Sequence, residues 1–213
     1  MGVQQLEEAW AVRTGAREAR LLAAKRSLRA EMTRRRRAIP EAERAAASVA
    51  MCAALVALPQ YRAARTVFAY ASMPDEVQLD GLLSRALADA KRVVIPWITG
   101  RGTMEAVELP SLAVLERGAY GIRNVPERLR RAIAPEEIDL AVVPGAAFTA
   151  EGARLGLGGG YYDRYLGVRA RGAYRIALAF DALLVPEVPM AAHDISVAEI
   201  VTETRHLICR KKR

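Results

Sequence analysis

The sequence predicts a three-layer α/β fold with a mostly parallel open sheet, and three observations carry that expectation. Apolar, strand-like runs alternate with helical stretches along the chain. One run, "IDLAVVPG" (138–145), is almost unbroken in its apolarity, as in a strand covered on both faces. No internal repeat, low-complexity tract or Gly/Ser-rich linker divides the 213 residues, so a single Rossmann-like domain is the simplest account.

Residues 1–17 are polar and weakly periodic and read as an N-terminal extension. The main domain is placed at 18–208, followed by a basic tail at 209–213. A helix is predicted over 18–37, and Pro40 and Glu41 restart a second one to about Leu58. "RTVFAYA" (65–71) reads as the first strand, "QLDGLLSRALADA" (78–90) as an amphipathic helix and "RVVIP" (92–96) as the next strand. "TMEAVEL" (103–109) alternates like a strand with one wet face, and "SLAVLERG" (111–118) reads as a short helix closed by Gly118. After the 138–145 strand come a glycine-rich loop and a helix from about Tyr161. "RIALAF" (175–180) and "EIVTE" (199–203) are the last predicted strands.

Composition narrows the function classes. The chain is 52% hydrophobic, enough for a sizeable core. Cys52 and Cys209 are far apart, which argues against a disulfide framework or a cysteine metal site and suits a reducing cytoplasm. The N-terminus lacks a signal-peptide pattern. The longest apolar stretch, "AAASVAMCAALVAL" (45–58), falls short of the roughly 20 residues a bilayer requires and reads as a buried helix. The net charge of +8 comes largely from "RRRR" (34–37) and "CRKKR" (209–213). Such a balance favours anionic partners, although each run taken alone is ordinary solvated surface.

In open α/β sheets, ligands bind beyond the carboxyl ends of the strands. "SMPDE" (72–76), the glycine loop and "PMAAHD" (189–194) all follow strands there. The loop, "GLGGG" (156–160), carries Gly156, Gly158, Gly159 and Gly160 directly before Tyr161, Tyr162 and Asp163. Backbone N–H groups freed by glycine, next to a helix start, favour a phosphate; a tight ligand-free turn is the alternative. It is neither a dinucleotide fingerprint, since Tyr161 stands where the third glycine belongs, nor a P-loop, since no Gly-Lys-Ser/Thr is present.

Lys25 lies about 40° from Leu21 on a helical wheel, inside the apolar stripe with Leu28 and Met32, and Arg29 lies at its edge. A cation there either binds an anion or snorkels to water. Asp163 at a helix start fits a cap and Asp194 fits a turn, but two carboxylates on converging loops beside phosphates also suit Mg²⁺. His193 and His206 have no metal-ligand partner at helical spacing, so zinc is not expected.

"VPGAAFTAEGARLGLGGGYYDRYL" (143–166) resembles the hallmark of the 5-formyltetrahydrofolate cyclo-ligase family: V-P-G-x-x-F, then G-x-R-L-G-x-G-x-G-Y-Y-D. The resemblance extends to K-x-x-L-R at Lys25–Arg29, to "SMPDEV" (72–77) and to "VPMAAHDISVAEIVTE" (188–203). It implies ATP- and Mg²⁺-dependent ring closure of 5-formyltetrahydrofolate, with or without a polyglutamate tail, to 5,10-methenyltetrahydrofolate. It further implies that Lys25, Arg29 and Arg154 bind ATP phosphates with Gly156, Gly158, Gly159, Gly160 and Tyr161. Asp163 and Asp194 would hold Mg²⁺, Glu76 and Tyr162 would contact the folate, and Lys25, Arg154 and Tyr162 would form the catalytic set. The chain departs from the family pattern at Leu79, Thr149 and Leu183, where threonine, aspartate and glutamine are expected.

Small-molecule partners are therefore expected, with no membrane or nucleic acid, in a monomer or weak homodimer. Two other readings compete: a divergent ATP-binding paralogue acting on another folate or carboxamide, and a basic nucleotide- or RNA-binding module. The aromatic residues sit in the glycine loop and not among the arginines, which disfavours the RNA reading.

Overall fold

The computed structural model describes residues 3–118 and 121–209, with side chains from residue 15 onward. Three helices open the chain: α1 (Val3–Ala38), α2 (Glu41–Ala57) and α3 (Pro59–Ala63). Strand β1 (Thr66–Phe68), helix α4 (Asp80–Ala88) and strands β2 (Arg92–Gly100) and β3 (Thr103–Glu108) follow. A small ribbon of β4 (Glu116–Arg117) and β5 (Arg123–Asn124) precedes β6 (Leu140–Val142). A second ribbon, β7 (Ala147–Phe148) and β8 (Arg154–Leu155), carries the chain into the glycine loop. Helix α5 (Tyr161–Arg164) widens into a π-helix at Tyr165–Arg169, and β9 (Tyr174–Leu178), β10 (Glu199–Val201) and β11 (His206–Ile208) end the described chain.

The main sheet has seven strands in the order β11-β10-β9-β6-β1-β2-β3. The inner strands from β10 to β2 are parallel, and each edge carries an antiparallel strand, β11 and β3. Successive residues face opposite sides, and both sides are buried. Val67, Val93, Leu140 and Ile176 pack toward Met32, Met51, Leu55, Tyr61 and Leu82 of α1 to α4. Their neighbours Phe68, Val94, Ala141 and Ala177 pack toward Tyr165, Leu166, Ile138 and Ile195 on the other face. That double burial is why these strands read as continuous apolar runs. The second covering layer is thin, a short helix plus loops.

β1 pairs with β2 on one side and β6 on the other, so the direction of winding reverses there. A crevice opens at the carboxyl ends of β1 and β6, the switch point at which such sheets bind ligands.

Several expectations are corrected. α1 runs without a break through residue 17, so the extension and the first predicted helix are one element. α2 is amphipathic and not wholly buried: Ser48, Met51, Cys52 and Leu55 face the core while Val49 is exposed. The helix expected at 111–118 is only a 3-10 turn, Leu112–Val114, capped by Ser111, and the chain then pairs as β4. A segment this short cannot offset the cost of helix nucleation. β11 went unread because "HLI" (206–208) carries no pattern of its own and is an edge strand. Arg210–Arg213 of the basic tail lie outside the described residues. Among the described residues, no helix is long and apolar enough to cross a membrane.

Candidate active site

A cavity of about 510 Å³ lies at the switch point, a size typical of small-molecule sites. Glu76 and Tyr70, which follow β1, form one wall with Tyr162. Trp97 and Met104, from the β2–β3 hairpin, and Ile122 form an apolar wall. The floor is the glycine loop, with Gly156, Gly159, Gly160, Tyr161, Asp163 and Arg154. Eight of the residues singled out in the sequence therefore meet around one space. Lys25, Arg29 and Asp194 do not line it; they cluster on another side of the same loop.

The loop conformation explains its glycines at two positions. Gly158 and Gly160 have φ of +116° and +66°, which side chains with a Cβ rarely adopt. Gly160 delivers the chain into α5. The loop is held from both sides through its carbonyls. Arg29 Nε donates to Gly156 O at 2.7 Å, and Arg164 Nη2 donates to Gly159 O at 2.5 Å. Arg164 Nε also donates to Gly102 O at 2.6 Å, tying the loop to the tip of the β2–β3 hairpin. Sequence reasoning missed this clamp, whose only local signal is an arginine one turn into the helix.

The charged groups are paired with one another. Lys25 is 6% exposed, and its Nζ donates to Asp194 Oδ2. It neither snorkels nor stands alone in the apolar stripe, so the snorkelling alternative is set aside. Burial works against the Asp194 charge, but the Lys25 ammonium and the Ala191 N–H hold its carboxyl below the usual range. Arg154 is 2% exposed; Nη1 donates to Pro144 O at 2.9 Å and Nη2 to Asp163 Oδ1 at 2.5 Å, while Nε is buried without a partner among the described residues. Asp163 does not cap α5; it faces back to Arg154 and accepts the Ile195 N–H at 3.1 Å. That contact sets the residue after Asp194 against Asp163, although 32 positions separate them in the chain.

The wall that carries Glu76 has another character. Glu76 is 9% exposed and accepts the Met73 N–H at 2.9 Å. Burial raises its pKa, against the opposing pull of that N–H and of Arg36. Burial and the nearby Glu76 carboxylate push the Tyr70 and Tyr162 phenols well up, so both stay protonated donors. Tyr70 was not singled out in the sequence, although its place just past β1 was a usable signal.

Two other expectations change here. The Arg34–Arg37 run is not uniformly solvated: Arg36 is half-buried and donates to Asp75 Oδ2 at 2.9 Å, next to Glu76. The three departures from the family pattern, Leu79, Thr149 and Leu183, are all buried, and none is among the residues lining the cavity. Leu79 and Leu183 pack in the hydrophobic core, and Thr149 holds the turn before β8, where its Oγ1 accepts the Ala153 N–H at 3.3 Å.

Asp163 and Asp194 offer the hard oxygen donors that Mg²⁺ prefers. Each engages one oxygen with a cation and a backbone N–H, while Asp163 Oδ2 and Asp194 Oδ1 take no hydrogen bond from a described residue. Among the described residues no group of three or more His, Cys, Asp and Glu could hold a metal by itself. The donor set fits an ion that takes two carboxylates and completes its shell with phosphate oxygens and water.

Comparison with known proteins agrees with this geometry. Residues 22–203 match the model of the 5-formyltetrahydrofolate cyclo-ligase family. The 5-formyltetrahydrofolate cyclo-ligase of Mus musculus is 33% identical over 190 residues, covering 84% of this chain and 94% of that protein. The enzyme of the same name from Mycolicibacterium smegmatis is 32% identical, covering 86% and 96%. The solved structure of Aquifex aeolicus 5,10-methenyltetrahydrofolate synthetase superimposes with a TM-score of 0.78 at 32% identity, over 89% of this chain and 95% of that one. With the motif, the fold and the sequence match in agreement, the chain belongs to the 5-formyltetrahydrofolate cyclo-ligase family.

Proposed function

We propose that this enzyme closes 5-formyltetrahydrofolate to 5,10-methenyltetrahydrofolate with ATP, releasing ADP and phosphate. One observation carries the reading: a paired cation–carboxylate cluster and an apolar, Glu76-containing cavity lie against the same glycine loop. The loop and the cluster suit the nucleotide phosphates, and the cavity suits the pterin and its neighbouring ring.

The chemistry follows from the substrate. The formyl oxygen attacks the γ-phosphorus and ADP leaves, which turns a poor leaving oxygen into a phosphate ester. N10 then attacks the formyl carbon within the same molecule, loses its proton, and phosphate departs. Phosphoryl transfer needs positioning and charge neutralisation more than a protein nucleophile. Lys25, Arg29 and Arg154 supply positive charge, and the loop N–H groups supply donors. Mg²⁺, when bound, neutralises phosphate oxygens, and Asp163 and Asp194 would hold it. Glu76 accepts pterin N–H groups, and the Tyr70 and Tyr162 hydroxyls donate to its polar edge. Holding N10 against the formyl carbon favours the intramolecular step.

The substrates are small molecules, and the two free cysteines suit a reducing compartment such as the cytoplasm. The deciding experiment mixes protein, MgATP and 5-formyltetrahydrofolate and follows the near-ultraviolet absorbance of the methenyl product. Absorbance should rise only when ATP, Mg²⁺ and the 5-formyl isomer are all present. Turnover that ignores ATP would overturn the reading.

A further inference from the structure

We infer that Asp194 makes the nucleotide site selective for metal-bound over metal-free ATP by occupying Lys25 until a cation takes its place. The inference rests on the proposed nucleotide reading of the loop. Lys25 and Asp194 belong to segments 169 positions apart, yet their side chains are only 8% and 10% exposed and are bonded to each other. Ligand-free, each is the other's counter-ion. Arg154 and Asp163, 1% and 12% exposed, repeat the arrangement beside it. Arg29 adds one further cation, committed to the Gly156 carbonyl.

A metal-free triphosphate can reach Lys25 only by stripping it from Asp194. That leaves a largely desolvated carboxylate without its ammonium, held only by the Ala191 N–H with the His193 ring 3.7 Å away, and facing phosphate oxygens. Separating one partner from a desolvated pair is strongly unfavourable, because the charge left behind has no compensation. A metal-bound triphosphate changes the exchange. The cation takes the Asp194 carboxylate, whose Oδ1 takes no hydrogen bond from a described residue and faces only the exposed His193 ring at 3.7 Å, and the phosphate takes Lys25. Every charge keeps a partner of opposite sign. The pair is therefore an electrostatic lock on the nucleotide site that a metal-bound nucleotide opens and a bare one does not.

The proposal gives effects of opposite sign from one substitution. Binding is measured calorimetrically without folate, using ATP in EDTA and ATP with excess Mg²⁺. The unmodified enzyme should prefer the metal-bound form by about tenfold or more, the size of one charge-assisted hydrogen bond. Asp194→Asn should bind metal-free ATP more tightly than the unmodified enzyme, because Lys25 is released, and should lose most of the benefit of Mg²⁺. Lys25→Gln is the second variant, should Asp194→Asn not fold. It should bind Mn²⁺ alone, followed by its magnetic resonance signal, more tightly than the unmodified enzyme, because Asp194 is released. Metal-free ATP binding that is unchanged or weaker in Asp194→Asn, or unchanged Mn²⁺ binding in Lys25→Gln, would overturn the lock and leave the nucleotide reading standing. An unmodified enzyme that binds neither form of ATP would overturn that reading, and the lock with it.

Discussion

Buried carboxylates at the two ends of the sheet are treated differently. At the amino end, Glu199 begins β10 and is 1% exposed. Its Oε1 accepts from Gln60 Nε2 and Tyr174 Oη, both at 2.6 Å, and its Oε2 faces His206 Nε2 at 2.6 Å. Both oxygens are engaged, by an amide, a phenol and an imidazole. At the carboxyl end, Asp163 and Asp194 are each paired with a full cation through one oxygen; the second oxygen of each takes no hydrogen bond from a described residue, and that of Asp194 faces only the exposed His193 ring at 3.7 Å. The first arrangement is closed and joins α3, β9, β10 and β11. The second is balanced by pairing and, on the proposed nucleotide reading, exchangeable, which is what a site needs if a charged ligand is to enter it. A buried carboxylate is thus better read by the identity of its partners, and by its spare lone pairs, than by burial alone.

The sharpest way to break this contrast is to neutralise one carboxylate at each end. Asp163→Asn should cut turnover by roughly 10²-fold or more, the scale of losing one preorganised charge in a phosphoryl-transfer site. It should do so with the protein still folded by circular dichroism. Glu199→Gln should leave kcat within about twofold and lower stability by roughly 1–3 kcal/mol, the cost of disturbing buried hydrogen-bonded groups. Urea unfolding of both variants, beside steady-state rates, tests the pair. If Glu199→Gln lost activity while remaining folded, the division between a closed end and a working end would be wrong.

A next effect separates the two sides of the glycine loop. Lys25→Ala should raise the KM for ATP about 10- to 150-fold and leave the KM for folate near normal, and Glu76→Ala should do the reverse. If both variants impaired the same substrate, the assignment of the two sides would have to be abandoned.

Smaller effects concern Glu76 and its surroundings. Burial raises the Glu76 pKa above its unfolded value, so its contribution to stability is present in full below the unfolded pKa and is lost as pH rises through the folded one. At neutral pH the ionised carboxylate is therefore a cost. Glu76→Gln should raise the Tm at pH 7 by a few degrees, on a scale of about 2–4 °C per kcal/mol for a chain of this length. The gain should vanish below about pH 4, and folate turnover should fall throughout. A Tm difference independent of pH would show that the effect is packing and not charge. Smallest of all, Arg36→Ala should raise the folate KM only a few-fold, through the Asp75–Glu76 turn that Arg36 holds. Arg34→Ala should change nothing measurable, since exposed charges are screened within about 8 Å at physiological salt. Equal effects of the two substitutions would remove the distinction drawn within that run.

How much was legible follows from what each signal measures. Period and composition report which face of an element is apolar, so "IDLAVVPG" read correctly as a doubly covered strand and Lys25 as a cation turned inward. Glycine reports backbone geometry, so the loop at 156–160 was recognisable before any fold was known. Neither signal names a partner. That Lys25 meets Asp194 and Arg154 meets Asp163, that Arg164 ties the hairpin tip to the loop, and that Leu79 and Leu183 sit in the core while Thr149 is buried in a turn were decided only by the tertiary structure. The sequence by itself determined the layers, the place of the glycine loop beyond the strands' carboxyl ends and the chemical types around it, because those depend on local periodicity and backbone freedom. The pairing of its charges depends on which distant segments the winding of the sheet brings to one edge, and no local pattern encodes that.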